Sequence, residues 1–138
     1  MKKQLQIIIA AAMLTFSGQA IACGMGEVTD AGYENASVAH AYKHWKQGKK
    51  TQIPFVFVDV RSDEEFKAGH VPGALHIPVS EISKRMNEIP KDKQVYVYCE
   101  AGVRAAKAST VLAKAGFHVE NLPESMGGWR KAGYPVEK

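Results

Sequence analysis

Apolar positions along this chain fall into two alternating rhythms. Phe55-Val56-Phe57-Val58, opened by Pro54, is an unbroken apolar run that predicts a strand buried on both faces. Ala74 to Ile77, Gln94 to Tyr98 and Phe117 to Leu122 predict three more strands. Between them the spacing turns helical. Val38, Tyr42 and Trp45 share one face of a helix starting at Ala36 and ended by Gly48 and Lys49-Lys50. Ser62-Asp63-Glu64-Glu65 spells a capping box in which Ser62 and Glu65 satisfy the first free amides of a short helix. Gly69 fits its C-terminal cap, and Val71-Pro72-Gly73 a turn. Ser80 is expected to cap a helix with Ile82, Met86 and Ile89 inward, closed by Pro90. Ala105, Ala108, Leu112 and Ala115 line a helix over 104–115, stopped by Gly116. A short helix around Trp129 to Ala132 precedes Gly133-Tyr134-Pro135. Strands alternating with helices predict an α/β fold, a central parallel sheet flanked by helices on both faces.

The amino terminus carries a different pattern. Lys2-Lys3, an apolar stretch from Ile7 to Phe16 and Ala20-Ile21-Ala22 predict a signal peptide over 1–22, with cleavage before Cys23. The apolar stretch is well short of the ~20 residues of a spanning helix. The expected location is therefore periplasmic or otherwise exported. Ala20-Ile21-Ala22-Cys23 also resembles a lipobox, with Ala20 where Leu is usual. Lipid anchoring through Cys23 is the alternative, and membrane contact is expected only in that case. Gly-rich, polar residues 23–35 read as a tether, which leaves 36–138 as the domain.

Without Lys2 and Lys3 the formal charge falls from +4 to +2. No clustered basic face accompanies it, so nucleic acid is not an expected partner. Exported chains usually fill with paired cysteines, yet only Cys23 and Cys99 occur here. A Cys23–Cys99 disulfide would switch Cys99 off; otherwise Cys99 stands alone. Cys-x-x-Cys is absent, which removes the main support for a thioredoxin-like oxidoreductase.

Cys99-Glu100-Ala101-Gly102-Val103-Arg104 joins a strand end to a helix start. Ligands of open α/β sheets bind at the carboxyl ends of strands. A helix start adds free amides and a positive dipole end. A thiolate placed there is stabilised. Gly102 lets successive amides turn inward as a nest, and Arg104 adds a fork of donors at the rim. The loop thus reads as an anion cradle around a nucleophilic sulfur. It makes Cys99 the candidate catalytic residue and Glu100, Ala101, Gly102, Val103 and Arg104 the candidate binding residues.

From about Phe55 to Val136 the chain resembles a single-domain rhodanese of the exported bacterial type. The resemblance rests on Asp59-Val60-Arg61, Glu65-Phe66, Gly69-His70-Val71-Pro72-Gly73-Ala74, the Cys99–Arg104 loop, and Gly127-Gly128-Trp129 with Gly133-Tyr134-Pro135-Val136. It implies the rhodanese fold and a sulfurtransferase of the thiosulfate:cyanide type. In the implied cycle a small anionic sulfur donor loads Cys99 as a persulfide, and a thiol or cyanide unloads it. No cofactor or metal is implied; a protein persulfide is a further candidate partner. Two departures bear on the donor. Relatives that use thiosulfate often have a basic residue where Glu100 stands, and Ser or Thr where Ala105 stands. Polysulfide and protein persulfide therefore stay open as donors.

By the same resemblance Asp59, Arg61, Glu65, His70 and Trp129 support the loop. Arg61 is expected to pair with Glu65, His70 to hold a turn, and Trp129 to pack in the core near the pocket. His40 and His44 have the i, i+4 spacing of metal ligands, but no third ligand is evident. Two rivals remain. A Cys-dependent phosphatase or arsenate reductase shares the Cys–Arg logic but has five residues between the pair, where Glu100 to Val103 are four. A non-catalytic rhodanese-like binding module typically lacks the Cys that this chain keeps.

Overall fold

The computed structural model describes residues 28–138. The expected signal 1–22, Cys23 and the first part of the expected tether lie outside the described residues. Strands β1 (Glu34–Asn35), β2 (Phe55–Asp59), β3 (Leu75–His76), β4 (Gln94–Tyr98) and β5 (His118–Asn121) form one sheet in the order β1-β5-β4-β2-β3. Every strand pairing is parallel. Helices α1 (Val38–Gln47), α2 (Asp63–Ala68), α3 (Ile82–Arg85), α4 (Val103–Lys114) and α5 (Ser125–Lys131) follow in alternation with the strands. The expected α/β architecture is what the chain adopts.

Side-chain alternation along β4 sorts two cores. Val95, Val97 and Cys99 pack with Val58, Ile82, Ala105, Ala108 and Leu112, so α3 and α4 cover that face. Tyr96 and Tyr98 point the other way, into Phe57, Val38, Met126 and Trp129 beneath α1 and α5. Each fully buried valine contributes about 1.5–3 kcal/mol. Ala105 and Ala108, both fully buried, let α4 lie close on the sheet. That closeness fixes the start of α4 directly above the end of β4.

Three differences from expectation go beyond a shift of a residue or two. Glu34 and Asn35, read as tether, pair with Glu120 and Asn121 as the edge strand β1. A two-residue polar strand has no apolar rhythm to reveal it; side-chain amides hold it instead, Asn121 donating to Asn35 Oδ1 at 2.9 Å. Ser80 caps nothing. It lies in a 3₁₀ turn over Val79–Glu81, and α3 begins after Glu81 without a side-chain cap. Finally, α5 starts at Ser125 rather than near Trp129, taking in Gly127 and Gly128. Glycine's poor helix propensity hid that turn. Packing explains it: a Cβ on Gly128 would stand 2.5 Å from Glu124 Cβ, and one on Gly127 3.3 Å from the Glu100 carbonyl oxygen.

A titratable cluster lies under α1, away from the Cys99 loop. Glu34, Glu120 and Tyr96 sit side by side in register across β1, β5 and β4. From α1, His40 Nε2 comes within 3.6 Å of Glu120 Oε2, and His44 Nδ1 is 2.6 Å from the Tyr96 hydroxyl. Among the described residues no group of three or more His, Cys, Asp or Glu is arranged to hold a metal ion. Burial, with Glu34 adding to it, pushes the Glu120 carboxyl up to about 7. A carboxyl raised in the folded state favours folding when protonated, and that advantage is lost as pH rises from the unfolded value of ~4.3 through about 7. Glu120→Gln is therefore expected to stabilise the fold by on the order of 2 kcal/mol at pH 8 and far less at pH 5. Thermal melts of both proteins across that range check it; an equal shift at both pH values would contradict it.

Candidate active site

The loop between β4 and α4 turns on Gly102. Its φ of 104° and ψ of −21° lie where side chains are disfavoured, and a Cβ there would come within 2.6 Å of the Pro123 carbonyl oxygen. This bend aims the Gly102 amide at Cys99 Sγ, to which it donates at 3.0 Å. Cys99 itself is 1 % exposed. Among the described residues no backbone acceptor meets the amides of Val103, Arg104 or Ala105, the free first-turn donors of α4. Ala101 and Val103 present their side chains to solvent. The loop is gripped from α5: the Met126 amide donates to Cys99 O at 2.9 Å and the Gly127 amide to Glu100 O at 3.1 Å.

Three carboxylate–arginine pairs tie this loop to its neighbours. Asp59 and Arg61, 0 % and 1 % exposed, form a two-pronged pair with Arg61 Nε 3.0 Å from Oδ1 and Nη2 2.7 Å from Oδ2. Arg61 also donates to Gly69 O at 2.7 Å and to Glu100 Oε2 at 3.2 Å. Burial pulls the Arg61 pKa down, but the Asp59 bond and charge outweigh it and leave it above the ordinary value. The expected Arg61–Glu65 pair does not form. Glu65 instead takes Arg104 in a fork, with contacts of 2.6 and 2.8 Å, while still closing the capping box with Ser62. The Arg104 hydrogen bond, against some burial, holds the Glu65 carboxyl down at about 2. Arg104 is raised by Glu65 first, with the nearby Cys99 a smaller contributor.

Glu100 completes the set. Arg130 on α5 grips it with both Nη atoms, Nη2 at 3.1 Å from Oε2, and Arg61 shares the same oxygen. The Arg130 bond keeps the Glu100 carboxyl below its usual range against burial, Arg61 helping. The acid beside the cysteine is thus a neutralised strut, not a bare repelling charge. Arg104 likewise is a strut to α2 rather than an uncommitted fork.

His70 and Trp129 hold the surroundings. The His70 ring donates from Nδ1 to Phe66 O at 2.9 Å and stacks on Phe66. Trp129, 1 % exposed, packs edge-on to Tyr42 and Phe57 and donates to Pro135 O at 2.7 Å. Sequence reasoning missed Arg130 and Ser125. Arg130 looks like an ordinary basic residue near a helix end, and nothing local signals its partner 30 residues away. Ser125, whose Oγ accepts from the Cys99 amide at 3.2 Å, lies 26 residues from it.

The rhodanese-like domain family model matches residues 37–132. This chain belongs to the rhodanese-like family. A sulfurtransferase of Allochromatium vinosum is 38% identical to it over 82 residues, 59% of this chain and 77% of that protein. An HTH-type transcriptional regulator of Mycobacterium tuberculosis is 41% identical over 83 residues, 59% of this chain but 37% of that protein. The match spans only 37% to 62% of the length of this and two further curated relatives. The crystal structure of a rhodanese-related protein from Thermoplasma volcanium superposes with a TM-score of 0.68 at 27% identity, covering 76% of this chain and 98% of that one. A Rhodopseudomonas palustris protein of unknown function, described as a possible tyrosine phosphatase, gives 0.67 at 26% identity over 76% and 85%. Fold and family are shared, and the relatives named for an activity include a sulfurtransferase.

Proposed function

We propose that this domain is a sulfurtransferase that carries sulfane sulfur as a persulfide on Cys99, in an exported protein. The observation that carries the reading is the Gly102 amide at 3.0 Å from Cys99 Sγ, at the free-amide end of α4. That arrangement favours negative charge on sulfur, first on the thiolate and then on the persulfide. The Cys99 thiolate attacks the outer sulfur of a donor such as thiosulfate. A sulfur–sulfur bond forms as the donor's own breaks, and the bonding pair leaves with sulfite. A thiol or cyanide acceptor then attacks the terminal sulfur, and the pair returns to Cys99 as thiolate. Cys99 is nearly enclosed, which suits a small terminal sulfur atom better than a bulky group.

The Glu100–Arg130 and Glu65–Arg104 pairs leave the rim close to neutral, which suits polysulfide or a protein persulfide as well as thiosulfate. The phosphatase reading fares worse. Four residues, not five, separate Cys99 from Arg104, and both Nη atoms of Arg104 are engaged by Glu65 rather than free for phosphate oxygens. A binding-module role is the remaining alternative, since a rhodanese-like region also occurs in a transcriptional regulator.

Initial-rate kinetics with thiosulfate and cyanide, and with polysulfide as second donor, test the reading. Two displacements through one covalent intermediate give parallel lines in double-reciprocal plots, the ping-pong pattern. Intersecting lines, or turnover of an aryl phosphate in place of sulfur transfer, would contradict it.

A further inference from the structure

Ser125 is the one residue other than glycine with a positive φ among the described residues, at 50°. An L-residue held there costs on the order of 1–2 kcal/mol, and glycine is the default solution. The side chain at this position is also 1 % exposed. A strained, buried, polar residue at the first position of α5 calls for a compensating role, and its contacts supply one.

The Ser125 hydroxyl oxygen accepts from the Cys99 amide at 3.2 Å, donates to Leu122 O at 2.7 Å and stands 3.8 Å from Cys99 Sγ. The Ser125 backbone amide also donates to Leu122 O, at 3.0 Å. Leu122 O would therefore stay satisfied if the hydroxyl proton turned away from it. The oxygen would still accept from the Cys99 amide after that turn. The hydroxyl can thus rotate toward sulfur at little cost, and a hydrogen bond to a charged atom is stronger than one to a neutral carbonyl.

We infer that Ser125 is a positioning residue for Cys99: it holds the cysteine's backbone amide and turns its hydroxyl proton from Leu122 O to Sγ when negative charge develops there. Gly102 N supplies one donor to that sulfur, and Ser125 supplies the second. The inference rests on the reading of Cys99 as the nucleophile, but it concerns the thiolate itself and requires no sulfur donor.

The test is the pH dependence of Cys99 alkylation by iodoacetamide, followed on the Cys99 peptide by mass spectrometry so that Cys23 does not contribute. Wild type is compared with Ser125→Gly and Ser125→Ala. Glycine relieves the backbone strain and alanine retains it, so the two variants should differ in melting temperature, glycine higher. Both lack the hydroxyl, and both should alkylate about tenfold more slowly at pH 6, with the gap narrowing as the pH rises to 10. A rate that tracks melting temperature across the variants, or one equally reduced at both pH values, would overturn the inference. So would wild-type behaviour in Ser125→Gly. Because sulfur transfer is not measured, failure here is distinguishable from failure of the sulfurtransferase reading.

Discussion

Cys99→Ser is expected to reduce sulfur transfer to the uncatalysed background with every donor while leaving the fold in place. The transferred sulfur must bond to an atom that is both a strong nucleophile and a good leaving group, and a serine hydroxyl is un-ionised at neutral pH and poor in both roles. The replacement is close to isosteric. Its oxygen would still face the Gly102 amide that now donates to Sγ at 3.0 Å, so no buried donor is orphaned. The stability cost should stay within about 2 kcal/mol. Activity assays paired with urea unfolding check both halves. Residual transfer above a few per cent of wild type would move the chemistry off Cys99.

Arg61→Met is expected to have the largest effect on stability. It would leave Asp59, 0 % exposed, as a buried charge without its two-pronged partner, and would strip Gly69 O and Glu100 of a donor. Breaking one side of a buried ion pair costs about 3–5 kcal/mol. A domain's total stability is about 5–15 kcal/mol, so the loss removes a large share of it. Replacing both partners, Asp59→Leu with Arg61→Met, removes the stranded charge and should recover part of the loss. A loss below about 1 kcal/mol in the single variant would show that the Asp59–Arg61 pair does not brace the loop.

Much of this architecture was legible in the sequence because its signals are local. The apolar run at Phe55–Val58, the alternation in Gln94–Tyr98 and the capping box at Ser62–Glu65 each follow from neighbouring residues, and each forms the expected element. The junction of Cys99 with the start of α4 is legible for the same reason: a strand signal runs directly into a helix signal across one glycine. Long-range pairings are not. Whether Arg61 meets Glu65 or Glu100 depends on how α2 and the β4–α4 loop settle over the sheet end, and the pairing with Glu65 expected from the resemblance is not the one that forms. Arg130 and Ser125 reach the loop from α5, which Gly127 lets lie against the Glu100 carbonyl, a packing property with no local signature. The edge strand β1 was hidden because its pairing is made by backbone and by Asn35–Asn121, with no apolar residue to mark it.

Persulfide carriage on Cys99 is tested most directly by the intact mass of the purified protein before and after exposure to a sulfur donor, in wild type and in Cys99→Ser. The expected result is a gain of one sulfur, about 32 Da, in wild type, removed by cyanide and absent from the variant. No gain with either thiosulfate or polysulfide, or an equal gain in the variant, would contradict it.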